Sequence, residues 1–103
     1  MARLAYNIIR TEEGVIVAVA DADLLNRKLR ASNGVVVEIS EEFFGAMVGD
    51  EEEVTRALVE ADMAVIIGTK AVSLAKELGL VAPGSEIEIE GVPYVQVFRS
   101  LMP

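Results

Sequence analysis

The stretch DMAVIIGTKAVSLAKELGLV, residues 62–81, contains the sharpest change of pattern in the chain. Its first part, residues 63–67, is an apolar run rich in β-branched residues, which favours a strand or a buried turn. After Gly68, apolar residues recur at the i, i+3, i+4 and i+7 spacing of a helix that buries one face. The residues on that face are Ala71, Leu74, Ala75 and Leu78. A buried segment that leads directly into a largely buried helix is therefore the predicted centre of the fold.

Two helices carry recognisable end signals. Thr69 can cap the helix just described with its hydroxyl, and Gly79 suits the left-handed position that follows a helix. A second helix is predicted over residues 50–61, where Asp50 is the expected N-cap and Glu53 completes a capping box. Its buried stripe consists of Val54, Ala57, Leu58 and Ala61. Both helices need an apolar layer to cover.

Two hairpins are predicted from β-forming runs separated by short turns. The first joins residues 4–10 to residues 15–20. Its second run, VIVAVA, lacks polar alternation, so we expect a central strand covered on both faces. The second hairpin joins residues 86–90 to residues 94–98, with the two isoleucines of the first run facing inward and its three glutamates outward.

The remaining segments are short. We expect a short helix over residues 21–28, a third strand over residues 35–39 and a fraying tail at residues 100–103. The predicted fold is a single α+β domain over residues 1–103. It has a mixed, mainly antiparallel sheet of five or six strands, two main helices and one short helix.

The chain contains no cysteine and no histidine. Their absence excludes thiol nucleophiles, imidazole bases, disulfides, the usual zinc sites, and haem or iron–sulfur ligation of the usual kind. Residues 50–53 are four consecutive acids, but consecutive helical residues point about 100° apart and do not converge on one ion. We therefore expect no cofactor and no metal site.

Seventeen acids and nine bases give a net charge of −8, which repels phosphate polymers at long range. Two windows, residues 24–37 and 63–76, contain no acid. Because backbone amides at a helix start can bind anions, we predict an anion- or ligand-binding site there. Its residues are Gly68, Thr69, Lys70, Lys28 and Arg30. The alternative is an ordinary capped helix, since the full phosphate-loop frame is missing.

The densest aromatic feature is SEEFFG, residues 40–45. Two consecutive phenylalanines cannot point the same way on a strand or helix, so one belongs in the core. The other can cover a sheet edge, meet a second subunit or offer a stacking surface. The chain is 52% hydrophobic, which is much for the interior of a small domain, and we predict a homo-oligomer. The interface candidates are Phe44, Tyr94, Gln96 and Phe98.

Four segments together resemble a known family: RTEEGVIVAVADADLLNRKL, SEEFFG, IIGTKAVSLAKELGLV and GVPYVQVFR. In this order and spacing they resemble the small archaeal proteins grouped as domain of unknown function 424, over nearly the whole chain. The resemblance implies a compact cytoplasmic domain without an assigned reaction, associated with structured RNA or a translation component. In the family's pattern Asn is frequent at the position of Val65 and His at that of Tyr94, so imidazole chemistry cannot be shared.

Three classes of function follow. The first is a binding module that receives a phosphate-bearing partner such as structured RNA at Gly68 to Lys70. The second is an enzyme that uses carboxylates, Tyr94 or Lys70, which requires a cleft that perturbs their protonation. The third is a self-associating structural or interaction subunit without catalytic activity.

The sequence also bears on location. Arg3, Asn7 and Arg10 interrupt any apolar signal-peptide core near the N-terminus. The apolar runs are far shorter than the roughly 18 residues of a membrane-spanning helix. We expect a cytoplasmic protein.

Overall fold

A six-stranded mixed sheet forms the centre of the computed structural model, which describes residues 3–98. Two helices cover one face of the sheet. A smaller layer, made of a turn, a two-stranded hairpin and a short helix, covers part of the other face. This is the α+β architecture predicted from the sequence. The tail predicted to fray, residues 100–103, lies outside the described residues.

The sheet has the strand order β5-β1-β2-β6-β8-β7, and β3 and β4 form the separate hairpin. The β2–β6 pair is parallel, whereas the other neighbouring pairs are antiparallel. The strands are β1 (Leu4–Thr11), β2 (Gly14–Asp21), β3 (Lys28–Arg30), β4 (Val36–Glu38), β5 (Met47–Gly49), β6 (Met63–Ile67), β7 (Ile87–Ile89) and β8 (Val92–Phe98). The helices are α1 (Glu41–Phe44), α2 (Glu51–Glu60) and α3 (Thr69–Glu77).

Strand β2 is covered on both faces, as predicted. Val17 and Val19 pack among the residues of α2 and α3. Ala18 and Ala20 point to the opposite face, where the smaller layer covers them. All four side chains are fully buried, which explains why the run VIVAVA contains no polar residue.

The predicted end signals of the two main helices are largely confirmed. Asp50 accepts a hydrogen bond from the Glu53 N–H at 3.0 Å, and the Glu53 carboxylate accepts one from the Asp50 N–H at 3.4 Å, so the capping box is complete. Helix α3 ends in a Schellman motif, in which the Gly79 N–H donates to the Lys76 carbonyl and the Leu80 N–H to the Ala75 carbonyl. Gly79 has φ 74°, the left-handed conformation expected at this position.

The smaller layer differs from the prediction at residues 21–28. The short helix predicted there is a 3-10 turn of three residues, Ala22–Leu24. It ends at Leu25, whose backbone is extended with φ −58° and ψ 136°. Asn26 then adopts a left-handed φ of 69°, and its N–H donates to the Ile39 carbonyl at 2.6 Å. Lys28 then enters β3, so a strand replaces the second helical turn.

Two further differences concern the edges of the sheet. Strand β5 has only three residues and no sequence signal of its own, and it was not predicted. Both isoleucines of β7 were predicted to face inward, but only Ile89 is buried, while Ile87 is 56% exposed. The smaller layer stops short of Ile87, because β7 is an edge strand.

Candidate functional site

The carboxyl ends of β2 and β6 meet at one edge of the sheet, because these two strands are parallel. Asp21 is the last residue of β2, and Gly68 follows the last residue of β6. Helix α3 starts directly after Gly68. The topology therefore brings a carboxylate to the first turn of the helix for which an anion site was predicted.

Asp21 occupies the N-terminal end of α3. Its Oδ1 accepts a hydrogen bond from the Ala71 N–H at 2.8 Å, and its Oδ2 accepts one from the Lys70 N–H at 3.2 Å. Asp21 is only 8% exposed and is the one polar residue in the buried core of the described chain. A carboxylate here satisfies two donors that have no partner inside the helix, and it interacts favourably with the helix dipole. Asp21, at the end of β2, thus caps a helix that follows β6 in the sequence.

Gly68 is required by this arrangement. Its φ of 118° lies in a region that side chains rarely allow, and a Cβ built on it would lie 2.4 Å from the Cγ of Asp21. The predicted cap by Thr69 is wrong, because Gly68 is the N-cap residue and Thr69 is the first residue of the helix. The capping group comes instead from Asp21, which no local motif reveals.

Backbone amides that were predicted to bind an external anion already have acceptors within the protein. The Gly68 N–H donates to the Pro93 carbonyl at 2.9 Å, and the Lys70 N–H is held by Asp21. Two of the three amides assigned to an external anion therefore already have acceptors inside the protein. An anion at this position would also approach the carboxylate of Asp21, which repels it.

The basic side chains of the predicted site remain exposed. Lys28 and Arg30 flank the buried Leu29 on β3, and the Arg30 N–H donates to the carboxylate of Glu90 in the β7–β8 turn. Within residues 3–98, no hydrogen bond or ion pair links either side chain to α3. Anion binding by Lys28, Arg30 and residues 68–70 stays a prediction. It would depend mainly on the basic side chains and less on the backbone amides of α3.

The opposite end of the β2–β6 pair contains a similar contact. The Oδ2 of Asp62 accepts a hydrogen bond from the Val15 N–H at 2.8 Å, and the Asp62 N–H donates to the Val15 carbonyl at 2.8 Å. Gly14 has φ 140°, and a Cβ built on it would lie 2.5 Å from the Oδ2 of Asp62. Both ends of the parallel pair are therefore closed by an aspartate that lies against a glycine.

The phenylalanine pair is divided between core and surface as predicted, but Phe44 is the core residue. Its side chain is 5% exposed and packs in the smaller layer, so the choice of Phe44 as an interface residue is wrong. Phe43 is the exposed member, with the two rings edge-on at 4.9 Å between centroids. Among the other interface candidates, Tyr94 is half-buried, whereas Gln96 and Phe98 are exposed.

Phe98 belongs to a row of apolar side chains that crosses four strands. Ile9 pairs with Ile16, Ile16 with Met63, and Met63 with Phe98, and directly paired residues share one face of a sheet. The first three are half-buried and Phe98 is 44% exposed. We call these four residues the open row. It spans about 14 Å, since neighbouring strands lie about 4.8 Å apart.

Two clefts adjoin this surface and differ in chemistry. The cleft beside Ile16, Met63 and Phe98, of about 210 Å³, contains the carboxylates of Glu13 and Asp62. The cleft beside Tyr94, of about 270 Å³, also contains Ser85, Ile87, Gln96 and Phe98 and offers no carboxylate or lysine. Within residues 3–98, no group of three acidic side chains is arranged to hold a metal ion. None of the described helices is both long enough and apolar enough to cross a membrane.

The relationship to other proteins agrees with this architecture. The model of the family described as "Protein of unknown function (DUF424)" matches residues 9–100. The chain belongs to the DUF424 family. The fold of this DUF424 chain is similar to the crystal structure of an uncharacterized conserved protein from Methanopyrus kandleri, with 30% sequence identity and a TM-score of 0.75. That similarity covers 93% of this chain and 90% of the other. No curated protein matches significantly.

Val65 and Tyr94, two positions where the resemblance implies other residues in the DUF424 family, lie on neighbouring strands. Val65 pairs with Gln96, and Ile67 pairs with Tyr94, so Val65 and Tyr94 point to the same face of the sheet. Both belong to the smaller core, where Val65 is buried and Tyr94 half-buried. In this chain the pair therefore contributes to packing.

Proposed function

We propose that the protein is a non-catalytic interaction subunit that self-associates through the open row. The observation that supports the proposal is the register of Ile9, Ile16, Met63 and Phe98, which places four apolar side chains side by side on the face that the smaller layer covers only in part. Met63 packs against that layer, and Phe98 is the most exposed of the four. Contiguous exposed apolar surface is a common mark of protein–protein contact.

The geometry of the open row suits a second copy of the same chain. Two sheets can pack face to face at about 10 Å, with their side chains interdigitating. A two-fold dimer uses the same patch on both subunits, and the four side chains of the row carry no charge. Glu13 and Asp62 line the cleft beside the row, so a two-fold contact must keep these carboxylates apart. The net charge of −8 opposes association mainly at long range, where physiological salt screens it beyond about 8 Å.

Association with structured RNA or a translation component is the second candidate. It is favoured by Lys28, Arg30 and Lys70, which are all exposed and lie in sequence windows without acids. Against it stand the carboxylate of Asp21 at the start of α3 and the net charge of the chain. Self-association therefore has the stronger physical support.

Sedimentation velocity over a concentration series tests the proposal. Wild type should shift from monomer to dimer as its concentration rises, and Met63→Ser and Phe98→Ser should move that shift to higher concentration. Val59→Ser is the matched control, because Val59 is 59% exposed on α2, on the opposite side of the sheet. A wild type that stays monomeric, or row variants that associate like the control, would overturn the proposal.

Filter binding against total RNA from the source cells separates the second candidate from the first. If RNA is retained by wild type and lost on Lys70→Glu while self-association is unchanged, the RNA-binding module is the better description. If neither wild type nor Lys70→Glu retains RNA at low salt, the RNA-binding candidate should be dropped.

A further inference from the structure

The two edges of the central sheet differ in charge. Strand β7 has Glu88 at its centre and is flanked by Glu86 and Glu90. Acidic side chains on an edge discourage pairing with another strand. Strand β5, at the other edge, lies in the segment FFGAMVG, residues 43–49, which contains no charged residue. Strand β5 therefore lacks the charged side chains that usually keep a sheet edge from pairing with another chain.

Two of the three residues of the uncharged edge, Met47 and Val48, are accessible, whereas Gly49 is buried beside the Glu53 side chain. In the part of the chain that the structure describes, β5 is hydrogen-bonded in the sheet to β1 alone, and alternate N–H and C=O groups of an edge strand point outward. Met47 and Val48 are 39% and 45% exposed, and Phe43 lies just before them on α1. Val48 is paired with Ala5 and Met47 with Tyr6, so the two side chains lie on opposite faces of the sheet.

Acidic residues lie at both ends of this uncharged segment. Glu41 and Glu42 precede it, and residues 50–53 follow it with four more acids. The nearest base along the chain on either side of the edge is Arg56 or Arg30, and Arg56 already pairs with Glu52 at 3.2 Å. The antiparallel register also brings Arg3, which precedes Leu4, near Asp50, which follows Gly49, but the acids at that end outnumber this base. A partner that lies along β5 therefore meets apolar side chains at the centre and an excess of negative charge at each end.

We propose that β5 accepts an extended segment of a partner protein as an additional strand, and that this segment has an apolar centre with lysine or arginine at both ends. Strand addition supplies main-chain hydrogen bonds, while side-chain contacts on the two faces set specificity. The ladder is short, since three residues of β5 span about 10 Å. A second copy of this chain fits the edge poorly, because its own acids would lie against Glu41, Glu42 and residues 50–53.

Fluorescence anisotropy with two labelled synthetic peptides tests the partner's chemistry. The peptides KKVTVTVKK and EEVTVTVEE share one β-forming centre and differ only in the sign of their terminal charges. The basic peptide should bind wild type, and the acidic peptide should not. Failure of the basic peptide to bind, or equal binding of both peptides, would overturn the proposal.

Matched substitutions on the two edges test the location. Val48→Lys should weaken binding of the basic peptide by about tenfold or more, because it places a positive charge on the docking edge. Met47→Lys provides a second variant if Val48→Lys does not fold, as judged by circular dichroism. Ile87→Lys introduces the same charge at the β7 edge, and it should leave binding within about twofold of wild type.

Amide hydrogen exchange distinguishes strand addition from simple attraction to an acidic protein. Bound basic peptide should slow exchange at residues 46–49 and leave residues 87–89 unchanged. If the β5 and β7 variants weaken binding of the basic peptide equally, and the bound peptide does not slow amide exchange at β5, the net charge of the protein explains the binding. That outcome would overturn the proposal. If wild type self-associates and Val48→Lys abolishes that self-association, the β5 edge binds a second copy of this chain. That outcome would also overturn the proposal.

Discussion

The two ends of the β2–β6 pair use the same kind of contact in different surroundings. At each end an aspartate accepts backbone N–H donors beside a glycine with positive φ. Asp21 is buried and holds two donors of α3, whereas Asp62 is half-buried and holds the Val15 N–H. A lost hydrogen bond costs most where water cannot replace it. The Asp21 end should therefore contribute much more to stability, although both ends consist of an aspartate, a glycine and backbone N–H donors.

The largest effect is expected from Gly68→Ala. The new Cβ would collide with the Cγ of Asp21, a buried side chain with little room to move, and φ 118° is strained for alanine. We expect the free energy of unfolding to fall by about 3 kcal/mol or more, measured by urea denaturation. A loss below about 1 kcal/mol would show that Asp21 can move aside and that its contact is not rigid.

Asp21→Ala should have the next largest effect. It leaves the N–H groups of Lys70 and Ala71 without their acceptors at a mostly buried position, which we expect to cost about 2–3 kcal/mol. Asp62→Ala is the matched control and should cost about 1 kcal/mol, because water can reach the Val15 N–H. Equal losses for the two variants in urea denaturation would remove the distinction between the two ends.

Gly14→Ala tests the weaker end directly. The Cβ would approach the Oδ2 of Asp62, but that half-buried carboxylate can rotate toward solvent. The remaining costs are the Val15 hydrogen bond that this rotation weakens and backbone strain at φ 140°, which together we expect to be about 2 kcal/mol. Thermal unfolding followed by circular dichroism provides the measurement. If Gly14→Ala destabilised the protein as much as Gly68→Ala, burial of the aspartate would not be the deciding factor.

Lys70→Glu should have the smallest effect on stability. Its side chain is exposed in the first turn of α3, so the change in unfolding free energy should stay below about 0.5 kcal/mol. The Lys70 N–H and its bond to Asp21 are unaffected by the substitution. A melting temperature far below that of wild type would mean that the Lys70 side chain helps to hold Asp21 in place.

The sequence predicted those elements whose pattern repeats over several turns or residue pairs. VIVAVA identified the central strand, and the spacing of Ala71, Leu74 and Ala75 identified the buried face of α3. The three-residue strands β3 and β5 were missed, because no longer β-forming run surrounds them and their partners in the sheet define them. The equally short β4 and β7 were predicted, because they lie within longer apolar or alternating runs.

The candidate site was harder to predict for a related reason. Asp21 reaches an amide 49 positions further along the chain, and no local spacing records that contact. A usable signal was an aspartate at the end of one apolar strand together with a glycine at the end of another. If the two strands are parallel neighbours, their ends meet, and a helix start that looks open in sequence can already be occupied. Phe44 was misplaced because consecutive residues alone do not show which ring faces the core.

The parallel pairing of β2 with β6 also has a consequence for the order of folding. The β1–β2 hairpin closes across a turn of a few residues, whereas Val15 and Asp62 at the start of the parallel pair are 47 positions apart. Contacts between distant residues form slowly, because the chain loses conformational freedom before they stabilise it. The hairpin should form early, and the joining of β2 to β6 should limit the folding rate. Substitutions that weaken the Asp21–Gly68 contact, which joins the ends of these two strands, should then slow refolding as well as speed unfolding.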